Sequence, residues 1–272
     1  MGTINDQEHS ILLKFRNHIS DLELSESQRS DYFLIRWLRA RGNDLDGAKA
    51  TLSNYLEYRR KDNIDNILLW EPPEDVRTMA PYQFLGVDSE NSPVIFVPFN
   101  RWNCRKLSEL GLASDVIRYV DRLYEEIENT MIDKLTPEGI PTTQFVVIID
   151  TYNLSLLTFS SLIVVDTLLQ IAKKFEAYHP ESVKRFFIPN AGRAFSAAFT
   201  LVKPILGPKT ANKFKIFGTN PDIYKKEMLK ELPAGILPPK FGGTNMTIPG
   251  GDKLDLNCGI LAPVDSSYVT ID

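Results

Sequence analysis

The sequence predicts an α/β protein, with a helical N-terminal lobe followed by a lobe built on a mainly parallel sheet. Three observations carry this. Residues 5–61 hold apolar stripes at helical spacing. Two later runs, TTQFVVIID (142–150) and VKRFFIPNA (183–191), are rich in β-formers and continuously apolar at their centres. Parallel strands covered on both faces need that pattern. Around these runs lie segments long enough for helices, and strands alternating with helices build parallel sheets.

Each element follows in order. Ile11, Leu12, Phe15 and Ile19 share one stripe of a first helix. Ser30 and Asp31 are cap residues for DYFLIRWLRARG, which Gly42 stops. Asp44 or Asp46 opens LDGAKATLSNYLEYRRKDN, where Ala48, Leu52, Tyr55 and Leu56 lie on a common face. PYQFLGVDSENSPVIFVPF (81–99) reads as two strands around a polar turn. SDVIRYVDRLYEEIENTMID (114–133) is an amphipathic helix with Val116, Val120, Leu123, Ile127 and Met131 in register. SSLIVVDTLLQIAKKFEAYHP (160–180) is a helix that is apolar on most sides until its last turn. GPKTANKFKIFG (207–218) supplies a helix and a short strand, and PDIYKKEMLKEL (221–232) a last helix. The Pro- and Gly-rich run 233–251 is expected to wrap the surface. The domain division expected is 1–75 helical, 76–245 sheet-bearing, and 246–272 a C-terminal surface extension.

Composition narrows the function. A length of 272 residues suits one large domain, or one domain with a smaller attachment. A formal net charge of −4 gives no reason to expect nucleic acid. The two cysteines, Cys104 and Cys258, form no disulfide framework or zinc site, which favours a reducing, cytoplasmic setting. MGTINDQEHS has no signal-peptide pattern, and Asp6 stands where a myristoylation signal has Ser or Thr. No run reaches the ~18 apolar residues of a membrane span, so any contact with a bilayer is peripheral.

The catalytic inventory is thin. His9, His18 and His179 fit no zinc-protease or triad spacing. Gly207-Pro208-Lys209-Thr210 lacks the glycines of a phosphate loop. Asp150 ends a buried strand, where α/β enzymes place reactive groups, but it reads first as a structural carboxylate. The expectation is no enzyme, no metal and no cofactor.

The apolar inventory is rich. AFSAAFTLV (194–202), held between Arg193 and Lys203, has hardly any polar face. Full burial explains such a helix, and so does an inner face that closes a hydrophobic cavity with an outer face that meets a membrane. An apolar ligand gains roughly 25 cal/mol per Å² buried, so a lipid can be held without a covalent or metal bond. Arg193, Lys203, Lys209, Lys213 and Lys215 would favour anionic headgroups, at about 1 kcal/mol per cation near the surface.

Two stretches carry a family resemblance. Residues 31–61 resemble the N-terminal helical signature of the CRAL-TRIO lipid-transfer family. Residues 184–243 resemble its second signature: a strand ending in Asn-Ala, an apolar gate helix ending in Lys-Pro, a Pro-x-Thr helix start, and a closing GILPPKFGG. NIDNILLWEPPEDV (63–76) is similar to the animal branch of supernatant protein factor and tocopherol-associated protein, whose members carry a further GOLD domain. The resemblance implies a sheet flooring a lipid cavity and a mobile gate at about Arg193–Leu206. It implies a soluble carrier that binds one retinoid, tocopherol-like isoprenoid or phosphoinositide and exchanges it at membranes.

Residue by residue, the phosphate-holding positions of the phosphatidylinositol-transfer branch fall on Arg41, Glu181 and Lys213, with Ser182 in place of an arginine. An Arg41 or Lys213 ion pair with Glu181 explains the same residues structurally. The choline-contacting positions fall on Phe84, Ile95, Phe145 and Val147, all apolar, so choline recognition is not expected. Tyr152, Ser155, Thr158 and Ser196 could orient a ligand's polar end. Ala194, Phe195, Ala198, Phe199 and Val202 are the expected gate contacts. Arg193, Lys203, Lys209 and Lys215 are the expected membrane contacts. The runner-up function is a sensor whose ligand occupancy regulates an unidentified protein partner.

Overall fold

A computed structural model describes residues 2–246. Three helices open the chain: α1 (Asp6–His18), α2 (Asp31–Ala40) and α3 (Leu45–Lys61). Each start is capped as the local sequence requires. Asn5 and Glu8 form a reciprocal capping box, the Ser30 hydroxyl accepts from Phe33 N, and Asp44 rather than Asp46 caps α3. Leu12, Phe15, Leu34, Trp37, Leu38 and Leu52 are buried between them, with the Trp37 and Tyr55 rings 5.0 Å apart.

After a short α4 (Glu74–Met79), β1 (Gln83–Val87) and β2 (Pro93–Val97) form an antiparallel pair. Then come α5 (Cys104–Glu109), α6 (Ala113–Met131), β3 (Phe145–Ile149), α7 (Leu162–Tyr178) and β4 (Val183–Ile188). A 3₁₀ turn at Leu156–Ser160 leads into α7. The chain continues with α8 (Arg193–Val202), α9 (Pro208–Ala211), β5 (Phe214–Ile216) and α10 (Pro221–Met228). The strands lie in chain order, and every neighbouring pair from β2 to β5 is parallel.

The alternation of side chains divides the core into two layers. Val94, Phe96, Val146, Ile148 and Phe187 face α10. Ile95, Phe145, Val147, Phe186 and Ile188 face α6 and α7. The Pro- and Gly-rich run departs from its expected role. Instead of wrapping the surface, it buries Leu237 and Phe241 completely against the first of these faces. Its prolines set turns whose hydrophobic residues point inward. The expected extension 246–272 lies, apart from Met246, outside the described residues.

The two lobes are joined by charges on the side of α6 that faces away from the sheet. Arg59 of α3 donates to both oxygens of Glu125, at 2.8 and 3.0 Å. Lys174 of α7 reaches Asp121 at 2.6 Å and Asp62 at 3.1 Å, and Tyr58 stacks on Tyr178 at 4.0 Å.

Candidate lipid-binding site

The sheet face under α7 and α8 is built from residues with no polar side-chain atoms. Ile95, Phe145 and Val147 are buried there. Phe84, paired with Ile95 across the β1–β2 ladder, is partly exposed at the sheet edge. α8 rests on this layer through Ala194, Phe195, Ala198, Phe199 and Val202, one stripe at helical spacing. The two alanines are buried and let the helix backbone approach closely. Phe195 and Phe199 reach inward and join a run of rings. Phe199 lies 5.1 Å from Phe214, which stacks on Phe186 at 4.3 Å, and Phe186 meets Phe175 edge-on at 5.7 Å. Phe195 lies 5.6 Å from Phe199. α8 stops at Val202, short of the expected Leu206, because Pro204 has no amide hydrogen to continue the ladder.

Space in this layer is small. A cavity of about 40 Å³ lies between α5, α6 and α7, lined by Trp102, Leu107, Val116, Phe159, Val164 and Ile171. Cys104 also borders it, and burial pushes its thiol up to about 11. The rings of Phe186, Phe199 and Phe214 lie in the space beneath α8.

A polar cluster sits at the other end of β4. Glu181 adopts φ +57°, the only left-handed residue among those described that is neither Gly, Asn nor Asp. Such a conformation costs free energy and persists only where neighbours hold it. Gln144 Nε2 donates to its carbonyl at 2.8 Å. Lys213 pairs with the Glu181 carboxylate at 3.1 Å and Lys209 lies 3.7 Å from it. Lys209 also donates to the Arg39 carbonyl at 2.6 Å, tying α9 to the helical lobe. The Arg39 guanidinium forks onto Glu8 at 2.7 and 2.8 Å, and this pairing holds the Glu8 carboxyl below the usual range.

The expected site residues therefore separate. Glu181 and Lys213 come together. Arg41 does not join them, because its Nε donates to Thr51 Oγ1 at 2.8 Å on the exposed end of α2. Lys209 and Lys215, expected at the membrane, are engaged in ion pairs: Lys209 with Glu181, Lys215 with Glu231. Arg193 and Lys203 flank α8 and are exposed. Tyr152 and Ser155 sit on an exposed corner, with the Ser155 hydroxyl accepting from Leu157 N. Thr158 is half-buried there, and Ser196 lies on the outer side of α8, donating to the Gly192 carbonyl.

Comparison with known proteins places this geometry. A family model for the CRAL/TRIO domain matches residues 78–243. The chain belongs to the CRAL/TRIO family. Its relatives include a "SEC14 cytosolic factor" of Kluyveromyces lactis, 27% identical over 89% of this chain and 80% of the relative. Two phosphatidylinositol/phosphatidylcholine transfer proteins of Arabidopsis thaliana, SFH4 and SFH9, are 30% and 25% identical over 88% and 94% of this chain. The chain spans only 39% and 44% of those two plant proteins. The crystal structure of Sfh5 superposes with a TM-score of 0.70 at 15% identity, covering 96% of this chain and 94% of that one. The three sequence relatives are yeast and plant proteins, so the expected animal branch rests on the stretch 63–76 alone.

In this CRAL/TRIO chain, Asp150 and His179 do not meet. Asp150 follows the C-terminal end of β3, whereas His179 precedes the N-terminal end of β4, a parallel neighbour. Asp150 accepts from Asn190 and from Tyr152 N and lies 3.4 Å from Lys240, while the His179 ring lies tilted against Tyr124 at 4.4 Å. Phe175, Phe186, Phe214, Arg39 and the Lys209–Glu181 contact escaped sequence reasoning. Phe214, placed between Lys213 and Lys215, is the one with a readable signal: alternation in a short strand sends the ring inward and the two cations to the other side.

Proposed function

We propose that this protein carries one lipid on the apolar sheet face beneath α8 and exchanges it at membranes. The observation that carries the reading is the way α8 is seated. It lies on an all-apolar sheet face through small and aromatic side chains, a contact that hydrocarbon can replace at little cost in hydrogen bonding. The rings that fill the layer then repack around the ligand, and α8 acts as the gate.

The ligand is a phosphoinositide or a compact isoprenoid of the retinoid or tocopherol class. For a phosphoinositide, Lys213 and Lys209 beside Glu181 supply cations a headgroup phosphate can compete for, with Arg39 nearby. The names of the yeast and plant relatives favour this class. The dry surface of Ile95, Phe145 and Val147 favours hydrocarbon over a choline headgroup. The carrier works from the cytoplasm by transient peripheral contact, without catalysis, as the family of transfer proteins supports. A finer placement in the animal supernatant protein factor branch rests on residues 63–76.

A transfer assay between donor and acceptor vesicles tests the gate. Phe199→Asp places a charge in the ring layer, where an unpaired ion is strongly disfavoured. Lipid transfer should fall at least ten-fold while far-UV circular dichroism is unchanged. Undiminished transfer would remove α8 from the mechanism.

A further inference from the structure

A second concave surface lies away from α8. Between α2 and α3 on one side, and α6 with the loop after it on the other, the two lobes leave a groove of about 1430 Å³. That exceeds the roughly 300–1,000 Å³ of a small-molecule pocket. No residue of α7, α8 or α9 lines it. Its floor carries polar groups that the fold leaves without partners. Arg36 is 5% exposed, and neither its Nε nor its Nη2 has a hydrogen-bond partner among the described residues. Glu128 Oε1 is unpartnered as well, standing 3.6 Å from Arg36 Nη2, beyond hydrogen-bond reach. Burial opposes the Glu128 charge, but His179 and Arg36 beside it hold the carboxyl down at about 2. The Thr143 hydroxyl, on the same groove, is a third buried group without a partner. Buried polar groups are rarely left unsatisfied, and three on one concave surface point to a ligand that supplies their hydrogen bonds.

We propose that this groove between the lobes docks a basic, partly apolar peptide segment of a protein partner. The inference goes beyond lipid carriage and does not rest on it. A peptide backbone offers what the floor lacks: carbonyls for the Arg36 donors, an amide for Glu128, and either for the Thr143 hydroxyl. The sign of the charge selects the kind of peptide. Six carboxylates line the groove against three guanidinium groups, with no lysine or histidine. Of the three cations, Arg36 faces Glu128, Arg59 is engaged by Glu125 and Asp65 at 2.8 and 2.6 Å, and Arg60 is exposed at the rim. Glu23 and Glu57 are exposed on the rim too, and neither has an ion-pair partner among the described residues. Such a surface repels phosphates, nucleic acid and anionic headgroups, and attracts lysine and arginine. The walls add apolar anchorage through Leu56, Leu68, Ile132 and Pro141, and aromatic faces through Tyr32 and Phe33. Large side chains seated among groups of this kind carry most of the energy of a peptide interface. The Arg59–Glu125 pair ties one wall to the other, so the groove is preformed and its occupant meets a rigid surface.

Selection of a displayed library of random nonapeptides on the full chain tests this. The recovered sequences should interleave lysine or arginine with large apolar residues. A fluorescein-labelled copy of one should bind in fluorescence polarisation and shift the Arg36 Nε–H resonance in heteronuclear NMR. The variant Glu23→Lys with Glu57→Lys, both at exposed positions, should weaken that binding at least ten-fold, because two attractions become repulsions, while far-UV circular dichroism is unchanged. Failure to enrich any peptide over an unrelated protein, enrichment of acidic sequences, or equally tight binding by the variant would overturn the proposal. Inositol hexakisphosphate serves as the anionic probe. A shift of the Arg36 resonance with it, and none with the peptide, would make the groove an anion site and would overturn the peptide assignment.

Discussion

Gly243 shows how tightly one residue can be constrained by its surroundings. A Cβ built there would lie 1.9 Å from the Leu237 carbonyl oxygen and 2.5 Å from its carbon. These are backbone atoms, so no side-chain rotation relieves the clash. Leu237 and Phe241, both in the loop leading to Gly243, are part of the core under the sheet. Gly243→Ala should cost more than about 4 kcal/mol, a magnitude reserved for changes that force backbone to move. Thermal denaturation should show a large loss of Tm or no folded protein, and a near-normal Tm would disprove the constraint. Gly243 was legible in the sequence only as part of a closing motif. Its reason was not, because the atom it avoids belongs to a residue six positions earlier in an irregular loop. Arg41 illustrates the converse. Its place in the Arg-Ala-Arg segment suggested a phosphate contact, but rotation about the end of α2 carries it to Thr51, and no sequence period reports that angle.

At the scale of elements, the long helices and the strands were legible because their apolar patterns are clear, whereas the six-residue helices α4 and α5 were missed because they are too short to show a period. α6 shows what was not. Its inward stripe was readable, whereas the partners of its charged side come from α3 and α7, far away in sequence. Lys174 is the centre of that network, holding Asp121 of α6 and Asp62 beyond α3. Burial raises the Asp121 carboxyl above its ordinary range even with Lys174 donating to it. Lys174→Met removes the compensating charge, and breaking a buried pair of this kind costs about 3 kcal/mol. The expected fall in Tm is roughly 6–12 °C, at about 2–4 °C per kcal/mol for a chain of this size. A change within about 1 °C would mean that the lobes are held by their other contacts, such as the Arg59–Glu125 pair and the Tyr58–Tyr178 stack.

For the whole molecule, the sheet divides the work. One face is packed by α10 and the closing loop, through Phe96, Ile148, Phe187 and Phe241. The other is covered by α6 and α7, with α8 resting on part of it through apolar side chains, and it adjoins an exposed apolar corner. A carrier of a water-insoluble molecule as proposed above would use this second face as its floor and α8 as its replaceable cover. Native mass spectrometry of the full chain after incubation with mixed-lipid vesicles tests that claim most directly. One lipid should be bound per chain and be displaced by a second lipid species on further incubation. A chain that emerges from the vesicles with no lipid bound would contradict it.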